Sequence, residues 1–129
     1  MELPPLPFSE LLGIEIVSVT PDLVVGKLKV RAEVCTVPAV LHGGAYMAFA
    51  DTLGAIATVA NLKDGESTTT IESKTNFFAA VPLGDTARGA CSPLHKGRST
   101  MVWQTKITRG DGRLVAVVTQ TQMVLKARS

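Results

Sequence analysis

The sequence predicts an α+β domain in which one long helix packs against one long antiparallel sheet. The first observation is a run over 43–61 that is rich in alanine and contains Asp51 as its only charged residue. The second is a series of segments on both sides of that run that are rich in Val, Ile and Thr and bounded by turn residues. Because 129 residues suffice for one core but not for two, we predict a single domain over 1–129.

Six strands and a short helix are predicted around the long helix. The lead at 1–7 contains three prolines and cannot form regular helix, because proline lacks the backbone donor. The other segments are predicted from their content of β-branched residues, from the alternation of apolar and polar residues, and from the turn residues that bound them. In order, they are a short helix at 8–12, strands at 14–19 and 23–30, a loop at 31–41, the long helix at 43–61, and strands at 68–80, 85–94, 99–109 and 114–125.

Composition narrows the class of protein. A net charge of +2, without a basic block interleaved with aromatic residues, argues against binding of nucleic acid. A hydrophobic content of 46% in so small a chain suggests that subunits bury apolar surface against each other. The long helix carries Asp51 and many small residues, so we do not expect it to span a membrane. Cys35 and Cys91 lack metal or redox spacing and no signal peptide is visible, which predicts a cytoplasmic protein.

The motif Leu41-His42-Gly43-Gly44, at the predicted start of the long helix, indicates a catalytic site. The first turn of a helix leaves free N–H groups at its positive end, which suits a developing oxyanion. A lone carboxylate in an apolar helix is costly to bury, so Asp51 invites a functional interpretation. The alternatives are a carboxylate that bridges two subunits and, for Gly44, simple close packing of the helix start.

Two more motifs follow in order, TIESKTNFF at 70–78 and PLHKGRS at 93–99. With these three motifs, residues 12–125 resemble the hotdog-fold acyl-CoA thioesterases. The likeness is greatest to the phenylacetate-pathway and aryl-CoA branches, which include 4-hydroxybenzoyl-CoA and 1,4-dihydroxy-2-naphthoyl-CoA thioesterases. The resemblance implies the hotdog fold, in which a five- to six-stranded antiparallel sheet wraps one long central helix.

The resemblance also implies four catalytic residues. Asp51 would attack the thioester or activate water, and the Gly43 N–H would polarise the thioester oxygen. His42, just before the helix, is expected to play an orienting part through a hydrogen bond from a ring nitrogen to the loop or to the thioester side. Thr70 would lie near the thioester or the attacking water, although β propensity alone also explains a threonine there. Each site would take Gly43 from one subunit and Asp51 from the other in a homodimer, and a tetramer is the family habit.

Further positions are implied in substrate binding. Thr36 stands where the family often has Asn or Gln, so that accessory contact is expected to be weaker. The cations and hydroxyls of 95–100 suit the phosphates of coenzyme A, whereas the plain alternative is a basic turn between strands. Phe77 and Phe78, with Tyr46, Met47 and Leu53, would line an acyl pocket or simply fill the core. The full set is Thr36, Phe77, Phe78, His95, Lys96, Gly97, Arg98, Ser99 and Thr100.

The function expected from these patterns is hydrolysis of an aryl or medium-chain acyl-CoA to a free acid and CoA. No metal or cofactor is expected, because coenzyme A belongs to the substrate and the two histidines form no legible metal cluster. The alternative is a non-catalytic module that binds or senses acyl-CoA, against which Asp51 argues. A hotdog hydratase is disfavoured, because no histidine follows Asp51 at helical spacing.

Overall fold

The structure, a computed structural model, describes residues 3–127. Its elements comprise two α-helices, one 3₁₀ turn and eight strands within that range. In chain order they are α1 (Pro7–Leu12), β1 (Ile14–Thr20), β2 (Leu23–Lys29), the 3₁₀ turn (Ala32–Val34), β3 (Cys35–Thr36), β4 (Val40–Leu41), α2 (Gly43–Val59), β5 (Ser67–Phe77), β6 (Thr86–Lys96), β7 (Thr100–Thr108) and β8 (Leu114–Leu125).

Six of the strands form one sheet in the order β1-β2-β6-β7-β8-β5, and every neighbouring pair is antiparallel. β3 and β4 form a separate small hairpin immediately before α2. The edges of the large sheet are therefore β1 and β5. β5 is 11 residues long, and its outer edge has no ladder partner among residues 3–127.

The long helix α2 is enclosed by the concave face of this sheet. Phe49 and Leu53 on the helix are fully buried, and both point at Gly89 in β6, where an added Cβ would come within 2.7 Å of the Leu53 side chain. The missing side chain at Gly89 thus lets the helix approach the sheet closely. Trp103 in β7 is also fully buried and donates from Nε1 to Thr58 Oγ1 at 2.9 Å, which satisfies its only polar atom.

The α+β class and the order of the major elements are confirmed, and several boundaries are corrected. The predicted loop at 31–41 contains the 3₁₀ turn and the β3–β4 hairpin, since the Leu41 N–H pairs with Val81 O and the two short strands pair with each other. The strand predicted over 68–80 ends at Phe77, because the backbones of residues 78 and 79 both turn to Val115 O. None of the helices in residues 3–127 is long and apolar enough to cross a bilayer.

Candidate active site

The start of α2 presents one open backbone donor. His42 is the N-cap residue, and its Nδ1 accepts a hydrogen bond from the Gly44 N–H at 2.8 Å. The Ala45 N–H donates to His42 O, so the second and third amides of the helix are both used. The Gly43 N–H makes no hydrogen bond within residues 3–127, and it lies at the positive end of a 17-residue helix. The imidazole therefore orders the helix start and leaves the Gly43 amide available.

Asp51 lies in the middle of α2 and is held by a hydroxyl of the sheet. Thr70 Oγ1 in β5 donates to Asp51 Oδ1 at 2.6 Å, a short distance that is typical of a hydroxyl on a carboxylate. Thr70 thus contacts the carboxylate directly, and its one proton is committed to that contact. Asp51 and Thr70, which were predicted separately as site residues, are brought together by the packing of α2 on the edge strand.

Two glutamines that sequence reasoning did not assign complete this cluster. Gln122 in β8 is fully buried, and its Nε2 donates to Thr70 Oγ1 at 2.6 Å. Gln120, on the same strand and face, directs its Nε2 towards Asp51 Oδ1 at 3.4 Å. The sequence did contain a signal for these two glutamines. Side chains of β8 alternate between the two faces of the sheet, and the other even-numbered positions near the glutamines are apolar and face the core. A glutamine at a core-facing position requires a polar partner.

The strand register explains why these side chains meet. Thr70 lies directly opposite Gln122 in the β5–β8 ladder, and an irregularity follows at Ile71, after which the inward positions of β5 change from even to odd numbers. Irregularities of this kind are common beside functional residues, where they aim a side chain. On the helix, Gly54 makes room for Gln120: an added Cβ would come within 2.4 Å of the glutamine amide.

A cavity of about 350 Å³ opens beside Asp51. Its walls are α1, the lead before it, and one face of α2, so nearly all of the lining is apolar. Asp51 is the only ionisable residue among the lining residues, which are Leu3, Pro4, Leu6, Pro7, Phe8, Ser9, Asp51, Thr52, Ala55, Ile56 and Val59. Tyr46 and Leu53, two of the candidates for an acyl pocket, instead lie in the core.

The remaining aromatic candidates lie at the helix start. Phe77 packs edge-on against Tyr46 at a centroid distance of 5.3 Å, and its ring lies 3.5 Å from where a Gly43 Cβ would stand. Phe77 and Phe78 are both about half exposed. Thr36, in the β3–β4 hairpin, pairs with Val40 just before the helix. These residues therefore lie at the end of α2 that begins with Gly43, and not beside Asp51 of the same chain.

The segment 95–100 lies near the opposite end of α2. His95 and Lys96 extend β6, while 97–99 form the turn, so the predicted strand end at 94 is too early. Lys96 Nζ is tied to Asp22 Oδ1 at 2.6 Å and to Asn61 Oδ1 at 3.2 Å. Arg98 is exposed, and its guanidinium forms no ion pair with the described residues. Of the two predicted phosphate contacts, Arg98 is thus the cation without a competing partner.

A single helix enclosed by a six-stranded antiparallel sheet, with a carboxylate facing a cavity, defines the hotdog class of thioester hydrolases. The family model described as thioesterase superfamily matches residues 39–116, and the chain belongs to this family. It is similar to the proofreading thioesterase EntH of Cronobacter turicensis, with 36% identity over 81% of this chain and 75% of the relative.

Two other proteins show the same relationship. The 1,4-dihydroxy-2-naphthoyl-CoA hydrolase of Listeria monocytogenes is 31% identical over 92% of this chain and 96% of the relative. The crystal structure of thioesterase HI1161 from Haemophilus influenzae has a TM-score of 0.88 at 27% identity and covers 95% of this chain and 85% of that one. The predicted family and the hotdog fold are thereby confirmed, and the protein is a thioester hydrolase.

Proposed function

We propose that the protein hydrolyses an aryl or medium-chain acyl-CoA to the free acid and CoA. The observation that carries this proposal is the Asp51 carboxylate, held by Thr70 at 2.6 Å, in the wall of an apolar cavity of about 350 Å³. Asp51 either attacks the thioester carbonyl carbon, giving a mixed anhydride that water then hydrolyses to the free acid, or removes a proton from a water molecule that attacks this carbon. The C–S bond then breaks, and the CoA sulfur leaves as a thiolate that takes up a proton.

The site that we propose is built from two copies of the chain. Gly43 and Asp51 of one chain are separated by about 12 Å along the helix axis, too far for both to touch one thioester group. A second copy paired through the open edge of β5 would form a continuous sheet and bring its Gly43 amide to this Asp51. A long, unpaired edge strand is otherwise a liability for aggregation. We therefore propose a homodimer as the smallest active form.

The acyl group that we propose is predominantly apolar. Thr52 Oγ1, one of the few polar atoms near the cavity, already donates to Ala48 O at 2.8 Å. Besides Asp51, this leaves the Ser9 hydroxyl as the polar side chain in the wall that could face a ring substituent. A cavity of this size and lining suits a phenyl ring or a medium-length chain. An acetyl group would leave most of the apolar wall unfilled.

Coenzyme A is proposed as the leaving group for two reasons. The relative from Listeria is named as a hydrolase of a CoA thioester. In this chain, the exposed Arg98 lies in the turn after β6, with hydroxyls at Ser99 and Thr100 beside it. A guanidinium and neighbouring hydroxyls are suited to phosphate oxygens.

Release of the CoA thiol, followed with a thiol reagent, tests the proposal directly. The panel contains acetyl-, octanoyl-, benzoyl-, 4-hydroxybenzoyl- and phenylacetyl-CoA, with Asp51→Asn as the matched control. We expect turnover of the aryl or medium-chain substrates, little of acetyl-CoA, and none above background in Asp51→Asn. Tight binding of acyl-CoA without thiol release by the native chain would overturn catalysis in favour of a binding module.

A further inference from the structure

The hydrogen bonds between Asp51 and β8 form a chain with a defined direction. Gln122 Nε2 donates to Thr70 Oγ1 at 2.6 Å, and Thr70 Oγ1 donates to Asp51 Oδ1 at 2.6 Å. At the far end, Thr68 Oγ1 lies 3.0 Å from Gln122 Oε1 and 2.8 Å from the carbonyl of Met123. We call Thr68, Gln122 and Thr70 the amide–hydroxyl chain.

The direction in which these hydrogen bonds are donated follows from the chemistry of Asp51, the carboxylate at the end of the chain. An ionised carboxylate can only accept hydrogen bonds, so the single proton of Thr70 has to point at Asp51. Thr70 Oγ1 can then only accept from Gln122, and only the amide nitrogen can donate to it. With the amide reversed, Gln122 Oε1 and Asp51 Oδ1 would compete for one proton. The orientation of a buried amide is thus coupled to the ionised state of Asp51.

We propose that Gln122 is a positioning residue for the reaction, which rests on the proposed function of Asp51. By donating to Thr70, Gln122 keeps the threonine proton on Asp51 Oδ1. The other carboxylate oxygen, Oδ2, accepts no hydrogen bond within residues 3–127 and is the one that acts on the thioester or on water. Gln122 also stabilises the ionised carboxylate, because a charge accepts a hydrogen bond from a polarised hydroxyl more strongly.

A purely structural role does not account for this glutamine. Gln122 is fully buried, with Gln120 and Val124 as its neighbours on the same face of β8, and a leucine in its place would bring no polar atom to satisfy. Its removal would leave no orphaned donor nearby, since Thr70 still donates to Asp51 and Thr68 still reaches Met123 O. Core packing alone therefore favours an apolar residue at this position.

Gln122→Leu tests the proposal, with Val118→Ala as the control. Val118 is fully buried on the same face of β8 and carries no polar atom, so its truncation lowers stability without touching the chain of hydrogen bonds. We expect Gln122→Leu to lower kcat by about three- to tenfold, with a far smaller change in KM, because the lost hydrogen bond joins two neutral groups and acts on Asp51 only through Thr70. Val118→Ala should lower Tm and leave kcat per folded site unchanged.

The NMR signal of the Asp51 carboxyl carbon separates a positioning role of Gln122 from a packing role. Among residues 3–127, Asp51 is the only ionisable residue in the cavity wall, its partners Thr70 and Gln120 are neutral, and a second copy would add its own His42 at the helix start. In Gln122→Leu, the Asp51 carboxyl-carbon signal of aspartate-labelled protein should shift at a fixed pH of 7, because the Thr70 hydroxyl is no longer held in place by Gln122, whereas Val118→Ala should leave that signal unchanged. That NMR signal reports Asp51 itself and does not depend on turnover.

The outcomes distinguish this proposal from the proposed function. If the native chain turns over acyl-CoA but Gln122→Leu changes only Tm, the positioning role is wrong and the thioesterase assignment stands. If no thioester is hydrolysed, the proposed function fails, and the Asp51 carboxyl-carbon signal still decides whether Gln122 acts on Asp51. Should Gln122→Leu fail to fold, Thr68→Val frees the Gln122 amide to reverse, and a movement of the Asp51 carboxyl-carbon signal in the same direction, of smaller size, is expected. No movement would overturn the proposal.

Discussion

The Asp51 cluster and the segment 95–100 contrast in how their polar groups are held. Around Asp51, the partners lie on buried faces of β5 and β8 and are fixed by hydrogen bonds of 2.6 Å from fully or partly buried atoms. In the segment 95–100, the cations are exposed, and Lys96 is held by a surface ion pair whose two side chains are 33% and 76% exposed. Both regions were predicted as parts of the site, yet their physical settings differ.

The difference indicates what each region contributes. Hydrogen bonds shielded from water keep their strength and cost no reorganisation during the reaction, so the Asp51 cluster is suited to the chemical step. Exposed cations are screened and mobile, so the segment 95–100 is suited to holding a substrate arm equally in ground and transition states. We therefore expect substitutions in the first region to lower kcat and those in the second to raise KM.

The largest effect is expected for Asp51→Asn. The amide keeps the size of the side chain and can still accept from Thr70, but it lacks the basic lone pair. A general base contributes about 10²–10⁴ in rate, so kcat should fall by at least that order. Binding of a non-hydrolysable acyl-CoA and Tm should be retained. A well-folded Asp51→Asn protein with normal turnover would contradict the catalytic role, and a weakened dimer with full activity per site would show a structural bridge.

A smaller effect on the same step is expected for Thr70→Val, with Thr70→Ser as its control. Valine removes the donor to Asp51 and leaves the buried Nε2 of Gln122 without an acceptor, which costs about 1–3 kcal/mol of stability. We expect kcat to fall about tenfold or more while KM changes little, since a hydrogen bond to a charged group is lost. Thr70→Ser keeps the hydroxyl and should retain most activity. Equal losses in both variants would mean that the methyl group, not the hydroxyl, matters.

In the exposed region, Arg98→Ala should affect KM more than Lys96→Ala does. The guanidinium of Arg98 is free of ion pairs with the described residues, whereas Lys96 already bonds Asp22 and Asn61. We expect several-fold higher KM for acyl-CoA in Arg98→Ala with little change in kcat, because uniform binding is lost. An acyl-pantetheine substrate, which lacks the nucleotide phosphates, should not distinguish the variant from the native chain. Equal losses on both substrates would show that the turn is structural.

The smallest expected effect is a difference in reactivity between the Cys35 and Cys91 thiols, which is measured on the native chain without an activity assay. Burial raises the pKa of the Cys91 thiol to about 11. The reactive thiolate of Cys91 is therefore populated only well above neutral pH, and Cys35 is partly exposed. At pH 8, we expect an alkylating reagent to modify Cys35 and spare Cys91, as read by mass spectrometry of peptides. Rapid modification of Cys91 would show that this part of the sheet opens.

The sequence by itself determined the class, the order of the major elements and the place of Asp51 on the long helix. These follow from local rules, because the period of apolar residues, the turn residues and the lone carboxylate are each visible within one segment. An orienting role of His42 was likewise predicted from its place before the helix, and the structure adds that its Nδ1 accepts a hydrogen bond from the Gly44 N–H.

Only the tertiary structure decided what surrounds Asp51. Thr70 and Gln122 are 52 positions apart and meet through the register of β5 on β8, which depends on an irregularity at Ile71. The engagement of Lys96 with Asp22 and Asn61 also joins residues distant in the chain. Such contacts arise from strand pairing and helix packing between residues far apart in the sequence. The periodicity of apolar residues within one segment does not indicate which distant polar atom will form a hydrogen bond with a buried polar atom.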